Sequence, residues 1–314
     1  MTSAFKTEKE PTKQRDAERE IQENIANLFE TEADKGPADA ENNLLTEDEQ
    51  YAVDEFKKSL TFDRGMYWIK PIFKKAADYK PLLNNYNIAE KNYQSLRRRL
   101  AKDKSLEDQY KAEITKLIEK GDIEEVSETP LEASDPKRYI NYLPQLVVQR
   151  QDKLTSKVRP VFNASSKNNQ NVSLNDNILC GPKTQESINK LSILMRLKPI
   201  VVLADLQKMF HSIGYLEEPD GQTKLTNNRD VFRILWSDDP NVQPKIYRWV
   251  KVVFGVASSP FLANSVVEHH LRRLVENSED ENEVEASKLL LKSIYVDDIL
   301  AVVESTQQGV KWQQ

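Results

Sequence analysis

Tyr295-Val296-Asp297-Asp298 sits between two apolar runs, Leu289-Leu290-Leu291 before it and Ile299-Leu300-Ala301-Val302-Val303 after it. Two β-capable stretches joined through an Asp pair predict a hairpin with both carboxylates at its tip. Adjacent anions repel unless a cation neutralises them. A divalent ion such as Mg²⁺ is suited to the task, because it takes hard oxygen ligands. The same four residues also read as an acidic surface turn, since Asp is common in turns.

A third carboxylate bears on that choice. Pro199-Ile200-Val201-Val202-Leu203-Ala204 is an unbroken apolar run rich in β-branched residues, and it ends in Asp205. Such a run predicts a buried strand, with Asp205 where the strand leaves the core. If this strand neighbours the hairpin, Asp205 joins Asp297 and Asp298. Three clustered carboxylates suit a two-metal site for in-line phosphoryl transfer.

Asp205, the aromatic Phe210 five residues on, and Tyr-Val-Asp-Asp about ninety residues downstream together resemble the palm of a reverse transcriptase. Further stretches resemble one lineage, the Bel/Pao class of LTR retrotransposons. They are Lys157-Val158-Arg159-Pro160-Val161-Phe162-Asn163-Ala164-Ser165, Val172-Ser173-Leu174-Asn175-Asp176 and Gly181-Pro182. Ala204-Asp205 through Met209-Phe210-His211 follows, then Val253-Phe254-Gly255 through Ser258-Ser259-Pro260-Phe261-Leu262-Ala263-Asn264. They occur in the family's order, and the resemblance covers residues 44–304.

The resemblance implies an α+β fold with reverse-transcriptase-like fingers and palm, the right-hand fold of DNA/RNA polymerases. The expected division is an acidic, mostly disordered linker over 1–43, then a helical connector over 44–120. Fingers over 121–198 and a palm over 199–304 follow. Residues 305–314 form a tail, too short for a thumb, so the polymerase is expected to be C-terminally truncated. The implied activity is RNA-directed DNA polymerisation, transferring a nucleotide from a dNTP to a primer 3′-hydroxyl. The alternative is an inactive truncated or domesticated retroelement remnant.

Roles carry over residue by residue. Asp205, Asp297 and Asp298 would be catalytic and hold two Mg²⁺ ions, with Mn²⁺ as the alternative. Arg159 would meet the triphosphate, for which a planar fork of donors is suited. Lys153, on the loop between two predicted finger strands, would assist it. Phe210 would lie under the nucleotide sugar and exclude a 2′-hydroxyl. Tyr295, Gly255, Ser258 and Pro260 would support template and primer. Retroviral relatives often carry Gln immediately before the glycine; Phe254 stands there instead, so no hydrogen-bonding role is assigned to it. The implied partners are an RNA or DNA template with primer, dNTPs, and the protease, ribonuclease H and integrase of a Pol polyprotein.

Charge is unevenly spread over the 314 residues, whose net charge is −5. Residues 1–50 carry 14 acidic and 6 basic side chains, whereas residues 51–200 carry 27 basic and 19 acidic ones. The basic middle is where phosphates could be held, although ordinary solvated helix surface gives the same count. Arg97-Arg98-Arg99 is a candidate phosphate contact on the same terms. Cys180 is the only cysteine and His211, His269 and His270 the only histidines, so neither a disulfide nor a zinc-binding integrase module is expected. No apolar run reaches the ~20 residues needed to span a bilayer. The expected location is cytoplasmic or nuclear, not secreted, with no membrane partner.

Local patterns complete the expectations. Thr46 and Glu49 form a capping box opening a helix over 47–60. Residues 88–120 predict one long helix stopped by Gly121. Val231–Trp236 and Ile246–Val250 predict strands. Ser258-Ser259-Pro260 opens a helix, with serine as cap and proline in the first turn. The acidic run Glu276 to Glu285 predicts a solvated loop.

Overall fold

The computed structural model describes residues 45–80, 82–128, 132, 140–149, 158–184, 191–193, 195–196, 199–217 and 228–311. The expected disorder over 1–43 and the loop bearing Lys153 lie outside the described residues.

Helix α1 spans Glu47–Ser59 and begins as its sequence dictates. The Glu49 amide donates to Thr46 Oγ1 at 3.3 Å, and the Thr46 amide donates back to Glu49 Oε2 at 2.9 Å. Acidic residues fill the first turn and lysines the last, matching the helix dipole. Strands β1 (Thr61–Asp63) and β2 (Met66–Ile69) form a hairpin around Arg64-Gly65. Both turn residues have positive φ, 49° and 78°, as a two-residue primed turn requires.

The predicted helix over 88–120 is two helices, α2 (Tyr86–Leu100) and α3 (Lys104–Glu119). Asp103 makes the break: its carboxylate accepts from the Leu106 amide at 3.1 Å and starts a second helix. A short acidic side chain favours such a cap over a helix interior. Both helices bury a stripe at helical spacing, Ala89, Tyr93, Leu96 and Leu100 on α2 and Leu106, Tyr110 and Ile114 on α3.

The remaining elements in order are β3 (Ile123–Val126), β4 (Gln145–Gln149), β5 (Val158–Phe162), β6 (Ile200–Asp205) and β7 (Ile213–Tyr215). Then come β8 (Arg233–Trp236), β9 (Lys245–Trp249), α4 (Ser259–Asn277), α5 (Glu281–Leu290), β10 (Ile294–Tyr295), β11 (Asp298–Val303) and α6 (Thr306–Lys311). The strand predicted over Val231–Trp236 starts only at Arg233, because Asn228–Phe232 forms a 3₁₀ turn. Most of the acidic run expected as a loop is helical, since α4 extends to Asn277 and α5 begins at Glu281. Leu289 and Leu290 end that helix rather than forming a strand, so the apolar run before the Asp pair was read with the wrong period.

The chain divides into two compact units. The larger holds the described parts of 44–184 and 205–288, and contains three sheets: β1-β2-β7, β3-β9-β8 and the antiparallel pair β4-β5. Its core is strongly aromatic. Trp236 packs on Tyr110 at 5.5 Å and Tyr93 at 6.4 Å, and Phe162 on Trp249 at 4.9 Å. Arg233, 1% exposed, is held by Glu128 through bonds of 2.7 and 2.9 Å and by Asp230 at 2.8 Å. A buried guanidinium needs such a full set of acceptors. Arg97 is likewise structural: it is buried, paired with Glu107 at 3.2 Å and seated over Trp236, so it is not a phosphate contact. Arg98 and Arg99 remain exposed.

The smaller unit holds the described parts of 185–204 and 289–314. Its sheet has the order β10-β11-β6, so among the described residues β6 is an edge strand. Helix α6 covers one face: a Cβ at Gly309 would lie 3.5 Å from Val202 and 3.6 Å from Val303. Leu203, on the other face, is 67% exposed, and Ala204 and Asp205 are exposed as well. The apolar run before Asp205 is therefore a half-covered edge strand, not a strand buried on both faces. Among the described residues no helix is long and apolar enough to cross a membrane.

Candidate functional site

Asp205 is the last residue of β6, Asp298 the first of β11, and Asp297 lies in the tight turn between β10 and β11. Tyr295 pairs with Asp298 across that hairpin, leaving Val296 and Asp297 as its two turn residues. Side chains alternate along a strand. With Val202 and Val303 facing α6, Asp205 and Asp298 fall on the opposite face. One carboxylate oxygen from each of Asp205, Asp297 and Asp298 lies within 4.8 Å of the others. Asp205 and Asp298 are exposed and Asp297 is half-buried. Unit charges about 4 Å apart repel by about 1 kcal/mol even in water. Among the described residues none of the three is paired with Lys or Arg. An all-carboxylate, solvent-reachable donor set fits hard divalent ions such as Mg²⁺ or Mn²⁺.

The turn is strained. Val296 has φ +57°, a conformation that costs a β-branched residue about 1–3 kcal/mol. A glycine or asparagine would take it readily. Its presence here places the strain in the turn itself, beside Asp297 and Asp298.

In the larger unit, Gly255 and Ser258 lie in the loop Val253–Ser258, Pro260 follows it, and Phe210 packs on its Phe254. Gly255 has φ +91°, and a Cβ there would sit 2.5 Å from the Phe162 carbonyl oxygen, so only glycine fits. Asn175 brackets the loop: its amide donates to the Gly255 carbonyl at 3.0 Å, and its side-chain oxygen accepts from the Ala257 amide at 2.9 Å. Asn175 also donates to Ser165 Oγ at 2.8 Å. Its own position is fixed by the Ser173–Asp176 capping box and by Lys167, 2.5 Å from Asp176. The Asp176 carboxyl is pushed down to about 2, first by Lys167 and then by the Ser173 amide. Three of the motif stretches thus serve one loop.

The loop leads into α4, whose first turn carries Pro260 as predicted. The serine cap was not borne out. Ser258 is already helical at φ −80°, ψ −16°, and its hydroxyl makes no cap bond. Ser259 instead donates to the Val253 carbonyl at 2.7 Å. Gly181 lies against the ring of Phe261, which any Cβ there would overlap.

Phe210 is 6% exposed, in a short 3₁₀ turn, and Phe254 lies on it with ring centroids 4.3 Å apart. His211 places Nδ1 3.2 Å from Asp122 Oδ2 and packs on Trp249 and Phe254. Arg159 is exposed on β5, opposite Val148 of β4. Tyr295 is half-buried in β10.

No protein-family model and no curated protein sequence matches the chain. Among solved structures it is similar to a foamy viral protease–reverse transcriptase in complex with double-stranded DNA. The identity is 17% over 63% of this chain and 26% of that one, with a TM-score of 0.38. The chain spans about a quarter of the length of that protein.

Two residues escaped the sequence reading as site elements. Asn175 lay inside a recognised stretch, but its partners are about eighty residues away and nothing local names them. Val296 lay in the central motif, yet a β-branched residue gives no warning of positive φ.

Proposed function

We propose that the chain carries the fingers and palm of an RNA-directed DNA polymerase of the Bel/Pao type. Its reaction joins a deoxynucleoside triphosphate to a primer 3′-hydroxyl. The single observation that carries this is the convergence of Asp205, Asp297 and Asp298 to within 4.8 Å on one sheet. These three side chains would hold divalent ions, which supply charge neutralisation on the phosphate oxygens and a more acidic attacking hydroxyl. The hairpin fixes Asp297 and Asp298 on adjacent positions, so their spacing is set before any ligand arrives. Rigid placement of this kind is the protein's part in phosphoryl transfer. Arg159, exposed and planar, is offered to the triphosphate. Template sequence would be read by base pairing, with the protein gripping backbone.

The test is primer extension on an RNA template with Mg²⁺ or Mn²⁺, comparing the chain with Asp297→Asn. Extension by the first and its loss in the second, with template binding retained, supports the assignment. Equal extension by both removes Asp297 from the reaction.

A further inference from the structure

We propose that the outward face of α2 is a separate, sequence-independent binding surface for a nucleic-acid backbone, with Lys91, Arg98 and Lys102 as its phosphate contacts. This goes beyond the polymerase assignment and uses none of its catalytic residues. Helix α2 turns Tyr86, Ala89, Tyr93, Leu96, Arg97 and Leu100 into the core. At 3.6 residues per turn, Asn87, Lys91, Gln94, Ser95 and Arg98 fall on the opposite side, and all five are exposed. Lys91 and Arg98 stand about 10 Å apart along the axis. Lys102 is exposed in the turn that follows the helix.

The charge on this face is not neutralised by its own helix. The neighbouring α3 shows the usual arrangement, in which Lys104 lies 3.1 Å from Glu107 and 3.0 Å from Asp108, and Lys116 lies 2.6 Å from Glu113. Such pairs, three or four residues apart, support an exposed helix. On α2, Lys91, Arg98 and Lys102 pair with no described carboxylate, and the helix has one acid, the half-buried Glu90. The helix dipole favours cations in the last turn, which covers Arg98, but Lys91 stands more than two turns earlier. The chemistry of the face selects its partner. No large apolar side chain between residues 86 and 102 is exposed. A protein partner needs an apolar or aromatic centre to bury, and stacked bases need an aromatic platform. A phosphodiester backbone needs only cations and hydrogen-bond donors, which Asn87, Gln94 and Ser95 supply between the charges.

The experiment is a fluorescence-anisotropy titration of a labelled oligothymidylate and a labelled DNA duplex with the full chain over a range of salt. EDTA is present and dNTPs are omitted, so the carboxylate cluster plays no part. The parent is compared with the triple variant Lys91→Gln, Arg98→Gln, Lys102→Gln, and with Lys104→Gln, Lys116→Gln on α3. Glutamine keeps a helix propensity close to that of Lys and Arg. The α2 variant is expected to bind both DNAs more weakly, with the slope of log affinity against log salt reduced by about 2–3. The α3 variant should keep the parent's slope. An unchanged slope in the α2 variant, or an equal fall in the α3 variant, overturns the assignment. So does polyglutamate binding to this face more tightly than DNA of equal charge, which would make the partner an acidic peptide. If the triple variant melts early, Lys91→Gln and Arg98→Gln are measured singly. Each should lower the slope by about 1, and no change in either counts against the surface. A parent chain that extends no primer but shows the slope difference keeps this surface and loses the polymerase assignment. Primer extension with an unchanged slope does the reverse.

Discussion

The side chain of Asn175 donates to the carbonyl of Gly255 at 3.0 Å and accepts from the amide two residues later, so one residue fixes a loop eighty positions away. Two hydrogen bonds to backbone contribute about 1 kcal/mol each. Asn175→Ala should therefore lower stability by about 2 kcal/mol, read from urea denaturation. Asn175→Asp keeps the acceptor for Ala257 but sets a carboxylate against the Gly255 carbonyl, and should cost at least as much. A variant with unchanged midpoint would show that the loop is held by other contacts.

Gly255 and Gly65 separate two costs. Both have positive φ, 91° and 78°, but only Gly255 has an obstacle, a backbone oxygen 2.5 Å from where a Cβ would stand. Gly65→Ala should cost only the dihedral strain, about 1 kcal/mol. Gly255→Ala adds a clash with a carbonyl that cannot rotate away, and should cost about 3 kcal/mol or more. Equal losses for the two variants in thermal denaturation would mean the β5 end yields easily.

What the sequence revealed followed from local rules. The Thr46–Glu49 box and Pro260 in the first turn of α4 each have a cause within a few residues. The meeting of Asp205 with Asp297 and Asp298 was legible because an apolar run and a hairpin both ended in acids. The errors came where one pattern served two periods. Leu289-Leu290-Leu291 is apolar enough for a strand, but it closes a helix. The run 88–120 is helical throughout its composition, yet Asp103 caps within it. The run 200–204 has the composition of a buried strand, but among the described residues β6 is an edge with Leu203 exposed, and no local pattern counts a strand's neighbours. Asn175 and its loop partners were beyond reach for the same reason.

The carboxylate cluster makes opposite predictions for two measurements. Without metal, the three anions repel one another, so Asp205→Asn should raise stability by up to about 1 kcal/mol. With divalent ion present at a hundred times its dissociation constant, binding to the folded form alone adds about 2.7 kcal/mol. That gain should appear in the parent and largely vanish in Asp205→Asn. Thermal denaturation with EDTA, Mg²⁺ and Mn²⁺ reads both. A parent chain that melts identically with and without metal would leave the acids as an unoccupied surface cluster.

Asp176 sets an acid limit on the Asn175 support. Its folded pKa is depressed to about 2, chiefly by Lys167 and then by the Ser173 amide. A depressed carboxyl contributes stability that is present above its unfolded pKa and lost as pH falls through the folded one. The loss should therefore run between about pH 4 and pH 2. Asp176→Asn should flatten that part of the pH profile and lower stability at pH 7. Partial exposure of the pair keeps the neutral-pH effect small. An unchanged acid limb in the variant would assign the loss to other carboxylates.

Val296 offers a test of whether strain is built into the carboxylate hairpin. Its φ of +57° is unfavourable for a β-branched side chain. Val296→Gly removes that penalty but adds unfolded-chain entropy and gives up a half-buried side chain, so the terms offset and the net change should lie within about 1 kcal/mol of zero. Val303→Ala, at a fully buried position of β11 in the same sheet, has no strain to release and should cost about 1–3 kcal/mol. Chemical denaturation of the pair compares one valine with the other. If Val296→Gly proves as damaging as Val303→Ala, packing rather than backbone strain governs the turn. If it is neutral for stability yet weakens metal-induced stabilisation, the strained valine is what holds Asp297 and Asp298 at their spacing.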